Sequence, residues 1–107
     1  MITRTAPTRT ATIYVAGDAA SARSICRAAC NSIGLCVTVT DCDYVYKGGA
    51  ESGVAVGLVN YPKYPSEPNE LRRKARELAE LLRVGLYQES VMIREDDETT
   101  LITERVF

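Results

Sequence analysis

Histidine and tryptophan are both missing from this sequence of 107 residues. Histidine is the usual general base for serine and cysteine nucleophiles and the commonest transition-metal ligand, so its absence excludes the common catalytic triads and histidine metal sites. Catalysis would have to depend on carboxylates, lysine, tyrosine or a bound metal–phosphate group. We therefore expect a non-catalytic protein with no cofactor, and we assign no catalytic residue.

An excess of basic charge and long apolar runs are also lacking. The chain has 13 basic and 14 acidic residues and a net charge of -1, whereas nucleic-acid-binding proteins usually carry a clear basic excess. No apolar run approaches the roughly 20 residues that span a bilayer, and no apolar segment typical of a signal peptide occurs at the N-terminus. We expect a cytoplasmic protein without a membrane partner and do not favour nucleic acid as a partner.

Cysteine pairs with the C-x-x-C spacing of zinc or redox sites are absent. The four cysteines are Cys26, Cys30, Cys36 and Cys42, and all lie in patterned segments. These positions favour a packing role for the four cysteine side chains, buried or half-buried, with no metal bound. Disulfides and metal ligation remain the alternatives.

The apolar pattern predicts a flexible arm over residues 1–10 and a single domain over residues 11–107. Period-two alternation predicts strands, and apolar stripes at helical spacing predict helices. The predicted strands cover residues 12–16, 35–46, 54–59, 91–94 and 100–106, and the predicted helices cover residues 19–33 and 66–86. The element order is therefore β-α-β-β-α-β followed by one more strand.

This order predicts an α+β, ferredoxin-like fold with two helices on one face of an antiparallel sheet. The extra C-terminal strand would extend one edge or pair with a neighbouring subunit. Because crossover connections are right-handed, we also expect the first and third strands to be parallel neighbours.

Parallel neighbours would bring the two strand-to-helix loops to the same end of the sheet. Helix N-termini favour anions, so these loops predict a binding site for a small anionic, nucleotide-like ligand. The predicted ligand-binding residues are Asp18, Ser21, Asn60, Tyr61, Lys63, Tyr64 and Ser66. Alternatively, Asp18 and Ser66 only cap the helices, and the Tyr-Pro pairs stiffen a turn.

A second set of side chains lies on the sheet face that the helices leave open. These residues are Tyr14, Thr38, Thr40, Tyr44 and Tyr46. RNA-recognition domains place stacking aromatics on a comparable face, but their sequence pattern is absent here. Self-association, as a homodimer or a higher oligomer, is the favoured interpretation.

The basic run over residues 72–76 is the third feature. Glu70, Glu77 and Glu80 punctuate it at spacings that favour ion pairs on a solvated helix. A phosphate-binding patch is the alternative.

Three stretches, over residues 34–40, 46–53 and 56–62, resemble small proteins of bacteria and their phages. The resemblance implies a phage or prophage context, in which small proteins often act as inhibitors or ligand sponges against host defence. We therefore favour a protein that captures a host protein or a small anionic ligand. A small phosphate-ester-type enzyme using the same loops, with Asp18 or Tyr61 as acid or base, and a nucleic-acid-binding module are the alternatives.

Overall fold

Five strands and two helices make up the computed structural model, which describes residues 1–106. Phe107, which the predicted domain includes, lies outside the described residues. The elements are β1 Thr10–Ala16, α1 Ala19–Ala29, a π-helical turn Cys30–Gly34, β2 Val37–Tyr46, β3 Gly49–Val59, α2 Pro68–Gly85, β4 Ser90–Glu95 and β5 Thr99–Thr103.

The strands form one sheet in the order β2-β3-β1-β4-β5, and all neighbours are antiparallel. The predicted α+β architecture with an antiparallel sheet and two helices is confirmed. The sheet departs in strand count and order from a simple ferredoxin-like layout, because β5 pairs with β4 and adds a fifth strand at that edge.

The first and third strands are neighbours, as expected, but the expected parallel direction is wrong. Thr10 pairs with Val59 and Ala16 pairs with Gly53, so β1 and β3 run in opposite directions. The chain consequently leaves β1 at one end of the sheet and leaves β3 at the other.

The core lies between the helices and one face of the sheet. Alternate residues of β1, such as Ile13 and Val15, and of β3, such as Val56 and Leu58, are buried there. From α2, Leu78 and other residues of the predicted stripe complete it. Burying one apolar side chain of this kind stabilises the fold by about 1.5–3 kcal/mol. The apolar face of each strand and helix therefore packs inward, as the period-two and helical patterns predict.

The cysteines divide between core and surface. Cys26 is buried, Cys30 and Cys42 are partly buried, and Cys36 is exposed; all four are free thiols. Burial raises the pKa of the Cys26 thiol. The prediction of a packing role is therefore wrong for Cys36. Within residues 1–106 the structure has no cluster of three or more cysteine, aspartate or glutamate side chains able to hold a metal ion.

The basic segment of α2 is neutralised by ion pairs. Arg73 pairs with Glu77 one turn along the helix, at 3.6 Å, as the spacing predicts. Arg72, however, reaches across to β4, where its Nε lies 2.6 Å from Glu95 Oε2. Arg76 pairs with Glu98, so among the described residues only Lys74 of this segment is without an ion pair, and the segment has little free charge for a phosphate-binding patch.

Neither helix has the length and apolar character needed to cross a membrane, within the part of the chain that the structure describes.

Candidate functional site

The two predicted ligand loops lie at opposite ends of the sheet. Since β1 and β3 are antiparallel over seven paired positions, the segment after β1 and the segment after β3 are separated by roughly 20 Å of strand. The predicted seven-residue pocket therefore divides into two groups. Asp18 and Ser21 are at one end, and the five residues from Asn60 to Ser66 are at the other.

Asp18 and Ser21 form a helix cap. Asp18 Oδ2 accepts hydrogen bonds from the Ser21 backbone N at 2.9 Å and from Ser21 Oγ at 2.8 Å. These two bonds lower the pKa of the Asp18 carboxyl. Because Asp18 is the N-cap residue of α1 and its Oδ2 accepts both of these bonds, the capping alternative describes this end of the molecule.

A cavity of about 840 Å³ lies at the other end, against the loop of residues 60–66, which we name the binding loop. Its walls come from the π-helical turn and the two residues that precede β2, from the end of β3, from the binding loop and from the first turns of α2. The lining residues are Cys30, Gly34, Leu35, Cys36, Leu58, Val59, Tyr61, Lys63, Tyr64, Pro65, Ser66, Glu70, Leu71 and Lys74.

Two tyrosines give the cavity an aromatic wall. The rings of Tyr61 and Tyr64 stack with their centroids 6.2 Å apart and their planes 20° from parallel. The Lys63 ammonium lies 5.4 Å from the centre of the Tyr64 ring. The two prolines of the loop restrict their preceding residues to extended geometry, and the Tyr64 N–H donates to the Tyr61 carbonyl at 2.9 Å. This short turn holds the two rings on the same side.

The charges around the cavity are mixed. Lys63 and Lys74 are the cations on its wall, and Glu70 is the one carboxylate among the described lining residues. The Lys74 ammonium donates to the Gly34 carbonyl at 3.3 Å. Because Glu70 lies in the first turn of α2, it counteracts the preference of that helix N-terminus for an anion. The arrangement suits a ligand with both positive and negative groups better than a simple phosphate.

Four of the predicted ligand residues therefore line one cavity: Tyr61, Lys63, Tyr64 and Ser66. Asn60 does not line it. Its side chain is buried and hydrogen-bonded to the Pro7 carbonyl and the Ser66 backbone. Ser66 does not cap α2 either, because the N-cap position belongs to Glu67.

Sequence reasoning missed the contribution of α2 and of the cysteine-bearing turn. Glu70 and Lys74 were assigned to a solvated, ion-paired face. Glu70 directly precedes Leu71 and Lys74 directly precedes Ala75, and both Leu71 and Ala75 belong to the buried stripe. Glu70 and Lys74 therefore lie beside that stripe, on the side of α2 that faces the binding loop. Their spacing of four residues is the sequence feature that indicates this shared face.

The open sheet face is less uniform than predicted. Tyr44 belongs to the fold: its hydroxyl accepts from the Val15 N–H at 3.1 Å and donates to the Val54 carbonyl. Burial raises the pKa of this hydroxyl. Of the other predicted interface residues, Thr38, Thr40 and Tyr46 are exposed and Tyr14 is partly exposed, with the Arg94 guanidinium 5.8 Å from the Tyr14 ring centre.

No protein-family model matches the sequence, and neither does any curated protein. Two solved structures are similar over the whole chain. A phage SAM lyase in its apo state aligns with a TM-score of 0.80 and 17% identity, covering 100% of this chain and 98% of that one. A phage SAM lyase in complex with S-methyl-5′-thioadenosine aligns with a TM-score of 0.70 and 16% identity, with the same coverage. At this level of identity, the similarity establishes a shared fold.

Proposed function

We propose that this protein binds S-adenosylmethionine in the cavity beside the binding loop and cleaves it as a lyase. The observation that supports the proposal most is the combination of a stacked tyrosine pair with one carboxylate and two lysines around a single cavity. The shared fold with a phage enzyme of that activity makes the same ligand a reasonable candidate. In a phage context, removal of the host methyl donor would act against defences that need methylation.

The chemistry of the ligand fits the charges of the cavity. S-adenosylmethionine has an adenine base, a sulfonium and an ammonium cation, and a carboxylate. Tyr61 or Tyr64 would stack on the base, as aromatic side chains do in nucleotide sites. Glu70 would face the cationic groups, and Lys63 or Lys74 would pair with the carboxylate.

The reaction would need little acid–base help, in agreement with a chain that has no histidine. The bond between sulfur and Cγ of the methionine part breaks, and its electron pair stays on sulfur, giving the neutral thioether S-methyl-5′-thioadenosine. The four-carbon fragment closes its own carboxylate oxygen onto Cγ, so one C–S bond breaks as one C–O bond forms and no proton has to be removed. This route requires no water, reductant or oxidant. The protein would act mainly by positioning the substrate and by excluding solvent.

Incubation of the purified full chain with S-adenosylmethionine tests the proposal. We expect S-methyl-5′-thioadenosine to accumulate well above a buffer blank, measured by liquid chromatography and mass spectrometry. Because the substrate also decomposes spontaneously and host enzymes can contaminate a preparation, a Tyr61→Ala variant purified in parallel is the control. Binding without turnover would instead indicate a ligand sponge, and neither binding nor turnover would reject the proposal.

Glu70→Gln is expected to weaken binding of the substrate much more than binding of the product. S-adenosylmethionine has a net positive charge, whereas S-methyl-5′-thioadenosine is neutral. Loss of the carboxylate should raise the Kd of S-adenosylmethionine about tenfold, equivalent to about 1.4 kcal/mol, and change that of the thioether by less than twofold. Isothermal titration calorimetry measures both, at a temperature where cleavage is slow compared with the titration.

Glu67→Gln is the matched control for that experiment. Glu67 is exposed, precedes α2, makes no side-chain capping bond and does not line the cavity. Equal losses for both ligands, or equal losses in both variants, would contradict the proposed place of Glu70.

Self-association through the open sheet face remains a proposal, with Tyr14, Thr38, Thr40 and Tyr46 as its contact residues. Thr38 is exposed and lies over Gly57, whose lack of a side chain keeps the face flat. We expect Thr38→Arg to dissociate the assembly, because an unpaired charge in an interface is strongly unfavourable, while the melting temperature of the monomer is retained. Sedimentation velocity at micromolar concentration measures this, with Ser24→Arg on exposed α1 surface as the control. A monomeric wild-type protein would remove the proposal.

A further inference from the structure

Asn60 is one of only two buried polar or charged residues in the described chain, with 7% of its surface exposed. A buried amide destabilises a fold unless its polar atoms find partners. Both ends of this amide do so, and both partners are backbone groups outside β3. Asn60 therefore connects three parts of the chain that the sheet itself does not join.

The first connection closes the binding loop. Asn60 Oδ1 accepts a hydrogen bond from the Ser66 backbone N at 2.7 Å. The five residues between them include both tyrosines of the cavity wall. Pro62 and Pro65 have no N–H groups, so the loop has few backbone donors with which to hold its own shape. The side chain of Asn60 supplies the missing closure.

The second connection holds the N-terminal arm beside the two ends of the binding loop. Asn60 Nδ2 donates to the Pro7 carbonyl at 2.8 Å, and the Asn60 backbone N donates to the Arg9 carbonyl at 2.8 Å. Arg9 Nη1 in turn donates to the Ser66 carbonyl at 3.0 Å. Both backbone polar groups of Ser66 are thus held, one by Asn60 and one by the arm.

We propose that Asn60 is a positioning residue of the binding site: by fixing Ser66 it sets the place of the Tyr61–Tyr64 pair. The residue does not line the cavity and would not touch the ligand. Its role in ligand binding rests on the proposed function, whereas the closure of the loop can be measured without any ligand.

Two substitutions separate the two connections. Asn60→Ala removes both side-chain hydrogen bonds and leaves the backbone bond to the Arg9 carbonyl in place. Asn60→Asp retains an oxygen that can accept from the Ser66 N–H but replaces the donor to the Pro7 carbonyl with a repelling oxygen, so it should loosen the arm at Pro7 and leave the closure at Ser66. Trypsin cleavage after Arg4 or Arg9 reports release of the arm, and hydrogen exchange of the Ser66 amide reports closure of the loop.

We expect Asn60→Ala to raise the Kd of S-methyl-5′-thioadenosine at least tenfold at temperatures where the variant is folded, and to accelerate exchange of the Ser66 amide at least tenfold. Asn60→Asp should bind within threefold of wild type despite a loosened arm. Gln88→Ala is the matched control, because Gln88 also bonds a backbone carbonyl through its amide, that of Leu86, but lies at the opposite end of the sheet.

The outcomes distinguish this inference from the proposed function. If wild type binds neither S-adenosylmethionine nor the thioether, the proposed function fails, and the Ser66 exchange rates still test the closure. If wild type binds and folded Asn60→Ala binds equally well, the positioning role is wrong. If Asn60→Ala does not fold, Asn60→Asp decides alone: a folded Asn60→Asp with slow Ser66 exchange and lost binding would overturn the proposal.

Discussion

Replacing Gly53 with alanine is expected to lower the melting temperature by at least 10 °C. A Cβ atom at this position would lie 2.4 Å from the Val15 carbonyl oxygen, 2.7 Å from Ala16 Cα and 2.7 Å from Tyr44 Cε2. Two of these neighbours are backbone atoms of β1, so no side-chain rotation can relieve the contact. Overpacking of this kind costs about 1–3 kcal/mol, and 1 kcal/mol corresponds to about 4–8 °C in a domain of this size.

The Tyr44 hydroxyl adds to the expected loss. It bridges Val15 N and Val54 O, which belong to paired residues of β1 and β3. The ring reaches this point from β2 by crossing β3 at Gly53. A side chain at Gly53 would displace the ring. Loss of each hydrogen bond would then lower the free energy of unfolding by about 0.5–1.5 kcal/mol. Thermal unfolding followed by circular dichroism measures the change.

Gly57→Ala is the matched control, because Gly57 lies on the same strand and the same open face. A Cβ atom there would come within 3 Å of only Thr38 Oγ1, at 2.6 Å, and the Thr38 side chain can rotate away. We expect a shift of only a few degrees. Similar losses in both variants would show that the open face as a whole, not the crossing of Tyr44, limits stability.

The buried faces of the elements and the adjacency of β1 and β3 could be predicted from the sequence, but the relative direction of those two strands could not. Alternation places Ile13 and Val56 on the inner face whatever strand lies beside them, and the structure buries both. The direction in which β1 and β3 run relative to each other leaves no trace in that alternation. The parallel pairing was therefore an assumption about crossovers, and its failure separated Asp18 from Tyr61.

The structural role of Tyr44 depends on a contact that the alternation of side chains along a strand does not predict. Its place on the open face was predicted, and on that basis it was assigned to an interface. Its hydroxyl instead serves β1, two strands away in the sheet order. The only sequence signal was indirect: a glycine at residue 53, on the neighbouring strand, leaves room for a ring to cross.

The binding loop was the part of the site that local chemistry made visible. Prolines at positions 62 and 65 exclude regular structure, so Tyr61, Lys63 and Tyr64 had to be exposed near a helix start, and all three line the cavity. Cys36 and Glu70 were not predicted there, because the residues that face them belong to segments distant along the chain. The cavity is thus assembled by tertiary contacts, which no single segment encodes.

Tyr61→Ala is expected to weaken S-adenosylmethionine and S-methyl-5′-thioadenosine to the same extent. The two ligands share the adenine base and differ in charge, so a residue that stacks on the base should affect them equally. Stacking of an aromatic side chain on a base contributes about 1–3 kcal/mol, and each 1.4 kcal/mol is about tenfold in Kd. We therefore expect the Kd of each ligand to rise about 10- to 100-fold in calorimetric titrations.

Tyr46→Ala controls for the loss of an exposed tyrosine. Tyr46 is 54% exposed and Tyr61 is 44% exposed, but Tyr46 lies at the end of β2 far from the cavity and should leave both Kd values within twofold of wild type. Tyr61→Phe should retain most of the affinity, because the aromatic ring and not the hydroxyl stacks on the base.

A Tyr61→Ala variant that binds both ligands normally would show that the base lies elsewhere. A loss confined to S-adenosylmethionine would assign Tyr61 to the sulfonium group, through the attraction of a cation to an aromatic face.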